Sequence, residues 1–111
     1  MPDVPPLASS EFQILLALLD GPMNGVAIKD EIARRTAGRV VLGPGTLYTS
    51  VKRMLDEGLI GEHGVGATAR ERIYRISARG RSAATAEARR LEQLVADARA
   101  KRLIGPAKEA V

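Results

Sequence analysis

The stretch Gly43-Pro44-Gly45-Thr46-Leu47-Tyr48 begins the helix on which the interpretation of this chain depends. Proline is well placed at the first position of a helix, because its missing N–H would have no helical partner there. Apolar residues then recur with helical spacing until Gly58, and they are Leu47, Val51, Met54 and Leu55. We therefore predict a helix over residues 43–58 with one buried side.

The other side of this predicted helix carries short hydroxyls, one phenol and two cations. These residues are Thr46, Tyr48, Thr49, Ser50, Lys52 and Arg53. A helix that enters the major groove of DNA, about 12 Å wide, needs compact polar groups for base edges and cations for phosphates. The alternative is an ordinary solvated face, although Thr and Ser stabilise an exposed helix poorly. Tyr48 directly follows the core residue Leu47 and could instead pack at the edge of the core.

The rest of the chain predicts the order helix, helix, helix, hairpin, long helix. Helical apolar spacing and capping residues place the other helices at residues 11–20, 25–36 and 78–103, and the strands at 59–63 and 71–76. Ser10 with Gln13 forms the expected capping box of the first helix. Asn24 and Ser77 are the expected N-caps of the second and last helices.

The predicted hairpin is rich in arginine. Residues 59–82 hold five arginines and two glutamates, a net charge of +3, whereas residues 1–20 have a net charge of −3. Focused positive charge is typical of a nucleic-acid footprint. Arg70 and Arg72 flank a loop without bulky residues, which suits contact with the DNA backbone or the minor groove. A mobile charged turn is the alternative interpretation of this loop.

The last predicted helix has an apolar stripe that three short helices and a hairpin cannot easily cover. The stripe consists of Ala84, Ala88, Leu91, Leu94, Val95 and Ala98. An uncovered stripe indicates a partner helix, most simply the same helix of a second copy. The alternative is that the helix packs back on its own domain.

Residue types that carry catalysis or bind metals are scarce. The chain has no cysteine, and His63 is its single histidine. Four carboxylates of the predicted helices, Asp30 with Glu31 and Asp56 with Glu57, occur as sequence neighbours, which point about 100° apart and form no paired site. No glycine-rich phosphate loop is present. We expect no enzyme, no catalytic residue, no metal site and no cofactor. Without an apolar run of about 20 residues or a recognisable signal peptide, we expect a cytoplasmic protein without membrane contact.

The sequence resembles the PadR family of bacterial transcriptional regulators over residues 8–104. The resemblance rests on residues 14–25 (ILLALLDGPMNG), 42–48 (LGPGTLY), 55–60 (LDEGLI) and 72–80 (RIYRISARG). It implies a mainly α fold with a small β-hairpin, namely a winged helix-turn-helix with one long C-terminal dimerisation helix. By position, Thr46, Tyr48, Thr49 and Lys52 fall on the recognition helix, and Arg70 and Arg72 fall on the wing.

The resemblance also implies a function. Family members usually repress genes as homodimers on a palindromic operator in double-stranded DNA, and a small-molecule inducer often releases them. This chain has no Trp and carries Val26 where the family often has an aromatic residue, so the resemblance identifies no inducer. A protein-interaction module without sequence-specific DNA binding is the alternative, but such surfaces more often expose aromatic residues and Met.

Four segments follow from these patterns. Residues 1–8, with three prolines, form an expected extended N-terminal tail. Residues 9–77 form the expected winged-helix DNA-binding domain, residues 78–104 the dimerisation helix, and residues 105–111 a C-terminal tail.

Overall fold

The computed structural model describes residues 6–64 and 72–107 of the chain. It contains α1 (Ser9–Leu18), β1 (Met23–Asn24), α2 (Gly25–Arg35), α3 (Pro44–Asp56), β2 (Ile60–Glu62), β3 (Ile73–Ile76) and α4 (Ala78–Ala100). The predicted mainly helical class with a small hairpin is confirmed. The strand β1 was not predicted, because two residues are too few to show an alternating pattern.

The three strands form one antiparallel sheet with β3 in the middle. On one side Ile60 of β2 pairs with Ile76, and on the other side Met23 of β1 pairs with Tyr74. The chain segment just before α2 is therefore hydrogen-bonded to the hairpin. The alternation predicted for β3 is confirmed, since Tyr74 is buried and Arg75 is exposed.

The core is aliphatic, as the low aromatic content requires. α1 lies against all three other helices, and α3 and the sheet close the core from the remaining sides. The side chains that are buried completely include Ile14, Leu15, Leu18, Ile28, Ile32, Met54 and Leu59. These contacts hold α2 and α3 in a fixed relation to the hairpin.

α1 begins earlier than predicted, and the capping box centred on Ser10 is wrong. The N-cap is Ala8, whose N–H donates to Glu11 Oε1 at 2.8 Å. The Ser10 hydroxyl instead shares a hydrogen bond with Ser50 of α3, with the two oxygens 3.0 Å apart. Burial of Leu7 in the core explains the shift, because it fixes the chain just before the helix. Leu7 and Ala8 are thus in contact with the domain, although we assigned them to the tail.

The first turns of α4 pack on the rest of the domain, whereas most residues of its second half are exposed. Ser77 accepts a hydrogen bond from the Gly80 N–H at 3.0 Å, which confirms the predicted N-cap. The last buried residue of the helix is Glu87, which pairs with Arg90. The hydrogen bond from Arg90 lowers the pKa of Glu87, so this carboxylate stays ionised despite its burial. Of the helices in the described part of the chain, none combines the length and the hydropathy that a bilayer-spanning helix requires.

Candidate nucleic-acid interface

α3 presents a continuous polar face on the side opposite the core. Leu47, Val51 and Met54 point inward and are buried. Thr49, Lys52 and Asp56 follow one another at helical spacing on the outer side, and all are exposed. Thr46 is exposed at the start of the helix. This face offers two hydroxyls, one ammonium group and one carboxylate to a partner.

Two of the six polar residues predicted for this face instead contact α1. Ser50 is half-buried and hydrogen-bonds Ser10, while Arg53 Nε lies 3.6 Å from Glu11 Oε2. Arg53 is also 3.6 Å from Glu57 Oε1. The six side chains therefore do not form one surface, because the α1 side of the helix is used for packing.

Glu11 is a residue of this region that sequence reasoning missed. Its side chain is buried, and its Oε2 accepts no hydrogen bond from the residues that the structure describes. That oxygen is the one next to Arg53. A signal was present in the sequence, because Glu11 lies four residues before Leu15 and seven before Leu18 and so shares their buried side.

Tyr48 packs inside the helix-turn-helix, at the edge of the core. It is half-buried against the core cluster, and its hydroxyl lies over the backbone of Gly25 at the start of α2. A Cβ atom on Gly25 would be 2.6 Å from the Tyr48 hydroxyl oxygen. The ring of Tyr48 therefore packs directly on the start of α2, where a side chain at position 25 would have to displace the Tyr48 hydroxyl.

A groove separates α3 from the hairpin. Its volume is about 310 Å³, and its walls are Tyr48, Val51, Lys52, Leu55, Asp56, Arg72 and Tyr74. Arg72 is exposed at the rim, with Nη1 3.6 Å from Glu62 Oε1. Burial raises the pKa of the Tyr74 phenol, and the positive charge of Arg72 opposes part of this rise. Arg70, the other arginine predicted for the wing, lies outside the described residues.

The described residues bring together no site for metal chemistry. They contain no group of three or more His, Cys, Asp or Glu side chains that could hold a metal ion. His63 is exposed, and its backbone N–H donates to the Ile73 carbonyl at 2.7 Å, which extends the β2–β3 pairing by one residue. The backbone of His63 therefore belongs to the hairpin.

The stripe predicted for dimerisation divides at the middle of α4. Ala84 is buried against its own domain, which is the alternative considered for this helix. Beyond it Leu91, Leu94 and Val95 are 38%, 51% and 40% exposed. Ala88 is also exposed and Ala98 is half-buried. Packing on α1 thus explains the first turns of the stripe but not the others.

The sequence of the helices and hairpin matches a known family. Residues 14–86 match the model of the transcriptional regulator PadR-like family. The chain belongs to the PadR-like family. Among curated proteins, none matches this PadR-like chain significantly.

Solved structures share the fold of this PadR-like protein. A transcriptional regulator from Clostridium thermocellum is 24% identical, with a TM-score of 0.70 over 79% of this chain and 90% of that chain. A PadR family regulator from Clostridium difficile R20291 is 20% identical, with a TM-score of 0.63 over 87% and 100%. BpsR of Bordetella bronchiseptica, whose DNA binding is regulated by 6-hydroxynicotinic acid, is 20% identical, with a TM-score of 0.66 over 89% and 69%. The fold is therefore a winged helix of transcriptional regulators.

Replacing Gly25 with alanine should destabilise the PadR-like domain by about 1–3 kcal/mol, the usual cost of overpacking. The new methyl group would overlap the Tyr48 hydroxyl, and the half-buried ring has to move. Urea unfolding measures the loss. Gly45→Ala is the matched control, because a Cβ there meets no atom within 4 Å in the described part of the chain. Adding Tyr48→Phe to Gly25→Ala should recover part of the loss, and a Gly25→Ala variant as stable as the control would refute the contact.

Proposed function

We propose that this PadR-like regulator is a homodimeric repressor that binds a palindromic operator in double-stranded DNA through α3. The observation that carries the proposal is the exposed polar face of α3 beside an arginine-bearing hairpin. Thr46 and Thr49 carry compact hydroxyls near the helix start, where base edges are usually contacted, and Lys52 follows one turn later. In a two-fold dimer the two copies of α3 would enter major-groove faces about 34 Å apart.

Phosphate contacts are proposed for the cations around the groove between α3 and β3. Lys52 lines one side of this groove and Arg72 the other, and both are exposed. Arg70 completes the proposed wing by its place in the sequence. Ser50 and Arg53 are proposed to orient α3 on α1, given the hydrogen bond to Ser10 and the proximity of Glu11. Tyr48 is proposed to support the reading helix from behind.

The dimer is proposed to form through the second half of α4, within a dimerisation segment of residues 78–104 that follows the DNA-binding domain of residues 9–77. Leu91, Leu94 and Val95 are exposed there, and burying a leucine side chain stabilises an interface by about 1.5–3 kcal/mol. A second apolar groove between α1 and α4, about 180 Å³ in volume, continues the surface and includes Leu16, Leu19 and Ala88. The partner's α4 is the proposed occupant.

Control by a small molecule is part of the proposal. BpsR, which shares the fold, has its DNA binding regulated by 6-hydroxynicotinic acid. We propose that an inducer of unspecified chemistry releases this regulator from its operator, and that the protein acts in the cytoplasm. Titrating candidate metabolites into the protein–operator complex tests this point.

Replacing Lys52 with alanine should weaken binding to every duplex and reduce the slope of log affinity against log salt by up to about one. The physical reason is the loss of one phosphate contact and its released counterion. Fluorescence anisotropy on the DNA upstream of the protein's own gene, and on a random duplex, gives both values. Lys101→Ala, which removes the same charge just after α4, is the control. Absent or salt-insensitive duplex binding by the unmodified protein would overturn the proposal and favour the protein-interaction module.

A further inference from the structure

Two cations of the proposed DNA face lie beside carboxylates. Lys52 Nζ is 3.3 Å from Asp56 Oδ2, one turn along α3. Arg72 Nη1 is 3.6 Å from Glu62 Oε1, across the hairpin. Both carboxylates thus lie beside cations that we propose to contact the phosphate backbone. Each cation thus has a negative partner before any DNA arrives.

The balance of charge on this face follows from the same contacts. Arg53, which we propose to orient α3 on α1, is not counted on this face, and it too lies beside carboxylates, those of Glu11 and Glu57. The two described cations that we propose to contact phosphate, Lys52 and Arg72, are therefore accompanied by two carboxylates, although the whole chain has a net charge of +4. In the residues that the structure describes, the face proposed to bind DNA has no excess of positive charge.

The solvent exposure of these two ion pairs indicates how much they contribute to folding. The side chains of Lys52 and Asp56 are 80% and 68% exposed, and those of Arg72 and Glu62 are 48% and 44% exposed. Ion pairs so open to water contribute little to folding. These two pairs therefore contribute little to the stability of the domain, and the charges of Asp56 and Glu62 can act on a charged ligand.

We infer that Asp56 and Glu62 are specificity-determining residues that lower the affinity of the regulator for DNA in general. The inference rests on the proposed function. Non-specific binding is almost entirely neutralisation of phosphates by cations, so a carboxylate beside each cation weakens it. An operator complex adds contacts to base edges, which offset the cost of separating the pairs. The ratio of operator to non-specific affinity, which decides occupancy in a genome, is thereby increased.

The test compares Asp56→Asn, Glu62→Gln and the double variant with the unmodified full chain. Each single change should strengthen binding to a random duplex by about threefold to fivefold, as expected for an exposed charge pair, and the double change by about tenfold. Binding to the operator should strengthen less, so that the affinity ratio falls. Anisotropy titrations at several salt concentrations should also show a steeper salt dependence for the variants.

Asp20→Asn is the matched control, because it makes the same change of net charge at an exposed position just after α1, outside the residues proposed to bind DNA or to form the dimer. Random-duplex affinities equal to that control would overturn the inference. Weaker operator binding by Asp56→Asn would also overturn it, since Asp56 would then contact a base. If the unmodified protein binds neither duplex, the proposed function fails and this inference fails with it.

Discussion

Replacing Gly80 with alanine is expected to destabilise the domain by about 3 kcal/mol or more, at the upper end of overpacking costs. A Cβ atom on Gly80 would lie 2.0 Å from the carbonyl oxygen of Leu59 and 2.9 Å from Cγ1 of Ile76. The nearest of these atoms belongs to the backbone and cannot rotate away. The start of α4 would have to leave the hairpin to make room.

Such a movement would break further contacts at the same joint. The Ser77 hydroxyl donates to the Gly58 carbonyl at 2.6 Å, and Arg79 Nε donates to the Glu57 carbonyl at 3.0 Å. A loss of this size lowers the melting temperature of a small domain by about 12 °C or more, which differential scanning calorimetry measures. Ser82→Ala, an exposed change two residues further on, should leave the melting temperature nearly unchanged. A Gly80→Ala variant that melts with this control would show that the joint is looser than described.

Replacing Leu94 with glutamate is expected to convert the proposed dimer to monomers and to weaken binding to the proposed operator about a hundredfold or more. Leu94 is 51% exposed at the centre of the apolar part of α4. In a two-fold dimer the change is present twice, so two buried leucines are lost and two carboxylates enter the interface. Each half-site would then be bound separately, without the high local concentration that linkage provides.

Analytical ultracentrifugation and anisotropy on the operator measure the two effects of this change. Ala96→Glu is the matched control, because it adds the same charge at an exposed position two residues further on, about 160° around α4 from Leu94. It should remain dimeric and bind normally. If Leu94→Glu remained dimeric, the dimer interface would not include this part of α4. If a monomeric variant bound the operator with full affinity, dimerisation would not be needed for binding.

The helices were predictable from sequence because their signals are local. Apolar spacing placed α3 with its buried residues, and the hydroxyl of Ser77 marked the start of α4. Ser10 shows the limit of such signals. It is a good capping residue, but the helix begins before it, because Leu7 enters the core and Glu11 accepts the Ala8 N–H. The preference for Ser10 as a capping residue is worth about 1 kcal/mol, and the free energy of burying the Leu7 side chain outweighs it.

The candidate site was only partly predictable for a related reason. The outer residues Thr49 and Lys52 are exposed as expected, since helical periodicity alone decides their direction. The positions of Ser50 and Arg53 depend on α1, more than thirty residues away in the sequence, so no local pattern could assign them. The same holds for β1, whose two residues become a strand only because β3 lies beside them.

Asn24 belongs to two elements, since it ends β1 and caps α2 by accepting the Ala27 N–H at 2.9 Å. Its strand partner is Ile73, the first residue of β3. The pairing of Met23 and Asn24 with β3 thus joins the hairpin to the helix-turn-helix and fixes the distance between them. A duplex whose groove width does not match the distance between the hairpin and the helix-turn-helix has to bend or widen. The free energy of that deformation depends on base sequence. The regulator we propose would then discriminate between operators at base pairs that it does not touch.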